Sequence, residues 1–167
     1  MKTAQIVGRV LALFNLIIWS ILLAGPLLSA LASFNPLVLV MLVLFAAMPL
    51  HSYAALQLQR SLRQPEVKLS HQTPVGIRFV GLIALFIGIF VVICGCLVLK
   101  DAKEWLPLMK EQMASLNKQQ DMSTITVGYL RGVGGFMLIA GLAVIVSVLI
   151  HLRLLRWYYL VKQSDVS

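Results

Sequence analysis

The sequence predicts an all-α fold: an integral membrane four-helix bundle of two helical hairpins, with a short extracytoplasmic amphipathic helix. Three observations lead there. Hydrophobic residues make up 60% of the 167, charged residues only 12%, and the mean hydropathy is +0.92. Soluble domains run near half apolar and about a quarter charged, so this chain lies outside that class. Charge is absent from three long stretches, Val10 to Gln59, Phe79 to Leu99 and Gly132 to Leu152. The segments between them are polar and carry prolines or charge, as connections do.

A spanning helix needs ~20 predominantly apolar residues, so the second and third stretches read as one span each. The first is long enough for two spans with a tight turn, which "ASFNPLV" supplies through Asn35 and Pro36, proline being suited to a turn or to the first turn of a helix. The spans are therefore 10–32, 36–57, 76–99 and 128–154, all within one membrane domain covering 1–167. Lys2 and Arg9 ahead of an apolar run, with "ALA" at 30–32, also resemble a secretory leader. The run exceeds the ~7–15 residues of a leader's apolar core, and the next span follows with no soluble domain between, so a span is the better reading.

Basic loop residues are retained on the cytoplasmic side. Lys2, Arg9, Arg60, Arg63, Lys68, Arg78, Arg153, Arg156 and Lys162 share one side; the smaller set of Lys100, Lys103, Lys110, Lys118 and Arg131 occupies the other. Both termini are expected to be cytoplasmic, with a cytoplasmic loop at 58–75, an extracytoplasmic loop at 100–127 and a cytoplasmic tail at 155–167. The net charge of +8 then reflects topology and contact with a lipid bilayer, and nucleic acid is not an expected partner. Short loops and few cysteines suit a bacterial inner membrane.

Within the outer loop, "EWLPLMKEQMASLNK" places Trp105, Leu108, Met109, Met113 and Leu116 on one arc at about 100° per residue, with Lys103, Lys110, Glu111 and Lys118 opposite. Gln112 interrupts the apolar arc. Such a helix either lies in the headgroup plane, caps the bundle or docks a partner.

In the third span Gly81, Gly88 and Gly95 recur every seven residues with Ala84 on the same side. Small residues let helices approach closely where lipid removes the hydrophobic incentive, and heptad spacing suits a shallow left-handed crossing. Gly128, Gly132 and Gly135, with Ala143 and Ser147, form a matching arc on the fourth span, and the two helices are expected to pack on these faces.

Candidate chemistry is sparse. Cys94 and Cys96 in "VVICGCLVLK" point about 200° apart on a helix and cannot bridge each other; beside Gly95 they read as packing material. A likeness to quinone-reducing four-helix thiol oxidoreductases stops at the number of spans, because those use CxxC and loop cysteines. All the acidic residues, Glu66, Asp101, Glu104, Glu111, Asp121 and Asp165, lie outside the spans, so a carboxylate-driven transport cycle has no candidate residue. Nor is there a nucleophile with a base, or an HExxH pattern.

The polar residues that remain near the membrane are Asn15, His51, Ser147, His151 and Arg131. At 1.5 Å per residue, Asn15, His51 and Ser147 reach similar depth and form a candidate polar cluster, either satisfying one another's hydrogen bonds or lining a wet path. His51 and His151 would be a haem's axial ligands only if their depths matched, and His151 beside Arg153 is expected at the interface. Pro49 loosens the helix before His51. Arg131 is expected to reach outer headgroups, and His71 has no second ligand at metal-site spacing. No catalytic, cofactor-binding or metal-ligating residue is assigned. The expected function is a non-catalytic accessory, assembly or regulatory component that binds lipid, another membrane protein or itself. The alternatives are an oligomeric passage for a small molecule, ion or lipid, and a haem- or quinone-binding redox subunit.

Overall fold

A computed structural model describes residues 2–33, 36–64, 66–67, 69–116 and 126–164, without the side chains of 2, 29–33, 37, 112–116 and 162–164. The chain is all-α, and no strand occurs among the described residues. Its helices are α1 (Lys2–Ser33), α2 (Pro36–Arg63), α3 (Gln72–Lys100), α4 (Ala102–Leu116) and α5 (Val127–Ser164). Four of them, through Thr3–Leu28, Val38–Arg63, Gln72–Lys100 and Val127–Val161, are long and apolar enough to cross a membrane.

Local chemistry explains the boundaries. α2 starts on Pro36, whose missing N–H costs nothing at a first helical position; Phe34 and Asn35 of the expected turn lie outside the described residues. Arg60 and Arg63 occupy the last turn of α2, where cations favour the exposed carbonyls. α5 is capped by Thr126, whose Oγ accepts from Tyr129 N–H at 3.2 Å. Between α3 and α4 only Asp101 intervenes: its N–H closes α3 on Leu97 O, and its carbonyl accepts from Glu104 and Trp105.

All four long helices exceed their predicted spans: α1 begins at Lys2 and α2 runs on to Arg63, past the expected limits at 10 and 57. α3 begins at Gln72, and the wide turn Gly76–Val80 joins its first turn to Gly81–Lys100. α5 runs on to Ser164, past the expected limit at 154. The charge of Arg153 and Arg156 ends an apolar stretch but not a helix, because Leu154 and Leu155 are buried with Ala54, Leu58 and Ile77 in one core cluster. The connection between α2 and α3 is correspondingly shorter than predicted.

The chain divides into two compact units. In the first, Met1–Gly88 with Ala143–Ser167, segments of all four long helices pack together: Ala12 and Trp19 from α1, Ala55 and Leu58 from α2, Ile77 and Ala84 from α3, and Val148 and Leu155 from α5 are buried. The second, Ile89–Leu142, holds a close α3–α5 crossing. A methyl built at Gly95 would lie 2.9 Å from Gly134 O and 3.0 Å from Leu138 N. The contacting residue on α5 is therefore Gly134 rather than the predicted arc. Around Gly132 and Gly135 a methyl would meet nothing within 4 Å, and at Gly128 only Thr126 Oγ at 3.7 Å. Residue size marked α5 as glycine-rich without indicating which of its faces meets α3. Gly81, Gly88 and Gly95 are all buried.

Candidate functional site

The first unit buries an unusual amount of polar side chain for so apolar a chain: Asn15, His51, Ser52, Gln59, Ser61, Thr73, Ser147 and His151 are each 5% exposed or less. Helical periodicity puts several on one line. His51 and Gln59 lie two turns apart on α2, and Ser147 and His151 one turn apart on α5, so each helix presents a polar row to the other.

His151 is the hub. Its Nδ1 is 2.6 Å from the Ser147 carbonyl and 3.4 Å from Ser147 Oγ, while its Nε2 is 3.2 Å from Gln59 Nε2. A carbonyl only accepts, so Nδ1 carries the proton and Nε2 accepts from the Gln59 amide; this is the neutral imidazole with both nitrogens engaged. His51 packs edge-on against it with ring centroids 5.9 Å apart. The His51 ring is 1% exposed, and the backbone of Gly76 on α3 is the polar group that faces it. Gln59 Oε1 and Asn15 Oδ1 are buried without partners.

Two glycines make room for the rings. A methyl at Gly81 of α3 would lie 2.9 Å from His51 Nδ1. One at Gly8 of α1 would lie 2.9 Å from Gln59 Nε2 and 3.3 Å from His151 Nε2. The helices thus close on the histidine pair from both sides, and any larger residue at either position displaces it. Ser52 donates back to Met48 O at 2.9 Å, satisfying its hydroxyl within its own helix.

Of the predicted cluster, Ser147 contacts His151, and His51 stacks on His151. Asn15 instead donates to Ala143 O at 3.2 Å, one turn from Ser147. His51 and His151, expected at different depths, meet edge-on, and His151 is fully buried because α1 starts at Lys2 and α5 continues to Ser164. Gln59 and Gly8 lie beyond the edges of the predicted spans; the two-turn spacing from His51 is the sequence signal that points to Gln59, and none points to Gly8.

The other predicted positions are more exposed. Cys94 is half-buried and Cys96 exposed, both free. Arg131 and His71 are exposed. On α4, Trp105 is 41% and Leu108 54% exposed and Met109 is half-buried, whereas the side chains of Met113 and Leu116 lie outside the described residues. No group of three or more metal-ligating side chains occurs among the described residues. No protein-family model, curated protein or solved structure matches the chain.

Proposed function

We propose that this chain is a multi-pass membrane protein that works by binding, as an accessory, assembly or regulatory component whose outer helix α4 engages another membrane protein or the lipid surface. The observation that carries this reading is the exposure of Trp105 and Leu108 on the apolar arc of α4. Trp105 and Leu108 belong to the arc whose periodicity marks a buried face, yet the chain leaves both exposed. A helix whose purpose was to cap its own bundle would bury them. Orientation follows the arginine and lysine bias, with both termini cytoplasmic and α4 outside, in a bacterial inner membrane.

The test is photo-crosslinking in the native membrane from position 108, with position 103 on the polar side of α4 as control. A discrete protein or lipid adduct from 108 alone supports the reading. Equal adducts from both positions, or none from either, overturns it.

A second reading is favoured by one observation, the row of buried polar side chains that runs through His51, Gln59, Ser147 and His151. A row of buried polar side chains between apolar helices is where a permeant would pass, so an oligomeric passage along it is the alternative. It predicts proteoliposome flux that is lost in His51→Phe. The redox alternative gains no support from the site, because both nitrogens of His151 are already engaged by Ser147 and Gln59.

A further inference from the structure

We infer that the cleft between the start of α1 and the end of α2 is a binding site for one anionic phospholipid, its phosphate held by Arg9, Arg60 and Arg63. The cleft has a volume of about 470 Å³ and is lined by these three arginines with Leu13, Leu56, Gln59 and Gln64. That is within the roughly 300–1,000 Å³ of small-molecule sites. All three guanidinium groups are exposed, and no carboxylate among the described residues lines the cleft or pairs with them. Guanidinium is the side chain best matched to phosphate, offering paired donors at fixed geometry with a permanent charge. The carbonyl end of α2 opposes them with about half a negative charge, which three full positive charges outweigh.

The order of residues along the two helices identifies the ligand as an amphiphile. On α1, Leu13 follows Arg9 by one turn; on the antiparallel α2, Leu56 precedes Arg60 by one turn. Both walls therefore change from guanidinium to leucine in the same direction, toward the middle of the apolar helices, over about 6 Å. A phosphate with an acyl chain behind it matches that sequence of surfaces. Inorganic phosphate or a nucleotide would leave Leu13, which is 40% exposed, and Leu56 facing nothing suited to them. Scattered interfacial arginines each reach separately for headgroups, whereas these three converge on one cleft.

The site rests on insertion of the four apolar helices but uses α1 and α2 alone, so it does not depend on what α4 binds. The experiment is native mass spectrometry of the full-length chain released from nanodiscs of phosphatidylcholine with either phosphatidylglycerol or no anionic lipid. Alkaline extraction of the source membranes is run first, so that failure to insert is seen separately from failure to bind. The expected result is one phosphatidylglycerol retained per chain, undisturbed by millimolar inorganic phosphate. Retention should weaken about fivefold in Arg9→Gln or Arg60→Gln and on the order of 100-fold in the triple variant with Arg63→Gln. A variant with Lys100, Lys103 and Lys110 changed to glutamine loses the same charge elsewhere and should retain the lipid. The single substitutions keep the test valid if the triple variant does not fold. Equal retention by wild type and the single variants, equal loss in the lysine control, or retention of phosphatidylcholine to the same extent overturns the site. Displacement of the lipid by inorganic phosphate overturns the lipid as its ligand.

Discussion

Replacing Gly95 with alanine tests the close crossing of α3 and α5. The added methyl would stand 2.9 Å from Gly134 O, 3.0 Å from Leu138 N and 3.2 Å from Met137 Cβ. Ordinary contact begins near 3.4 Å, so the two backbones must part by about 0.5 Å, the difference between 3.4 and 2.9 Å. None of the opposing atoms is the end of a flexible side chain that could swing away. Overpacking of this kind costs roughly 1–3 kcal/mol. Against that stands the helix-propensity gain of glycine to alanine, about 1 kcal/mol. Gly135→Ala supplies that gain alone, because its methyl meets nothing within 4 Å. The propensity term cancels in the comparison, leaving Gly95→Ala about 1–3 kcal/mol less stable than Gly135→Ala. For a chain of this size that corresponds to about 2–4 °C of midpoint per kcal/mol. Thermal unfolding of both variants in the same lipid nanodisc measures the difference. Equal midpoints would refute the crossing geometry.

Further outcomes follow from the same contacts. Gln59→Leu and His151→Leu should each cost about 1 kcal/mol beyond any packing change. Their double variant should fall short of the sum by about 0.6–1.7 kcal/mol, because they share one hydrogen bond; an additive double-mutant cycle in detergent unfolding would separate them. Gly8→Ala places a methyl 2.9 Å from both Gln59 Nε2 and Ile150 Cγ2, so it should destabilise by roughly 1–3 kcal/mol, measured by thermal unfolding and relieved only when both Gln59 and Ile150 are shortened. Thr126→Ala removes the cap on Tyr129 N–H and should cost about 1 kcal/mol, seen as faster hydrogen exchange confined to the first turn of α5.

The architecture was legible because each long uncharged apolar run forms helix long enough to cross a membrane, and Pro36 starts the second of the two helices in the longest run. The helix ends were less legible. Arg153 and Arg156 mark where an apolar layer would stop, but Leu154 and Leu155 keep α5 helical by packing on α2 and α3. Glycine content on α5 was visible, yet Gly134 and not Gly132 or Gly135 meets α3, since smallness permits contact without choosing a face. The polar site was half legible. His51 and Ser147 follow from counting along the spans, whereas Gln59 falls in the predicted loop and His151 beside Arg153, because counting from charge ignores how far the helices extend past it. The predicted hairpin of the first two spans already brings Arg9, Arg60 and Arg63 to one end, but only the structure shows that they line one cleft, because sequence does not say which faces of the two helices meet.

Impermeant thiol labelling of intact cells tests membrane insertion and orientation most directly. In a background with Cys94 and Cys96 changed to serine, single cysteines replace Gln64, in the connection after α2, and Lys110, on α4. The arrangement proposed here predicts that Lys110→Cys labels from outside and that Gln64→Cys labels only after the membrane is opened. Labelling of both positions from the same side would contradict it.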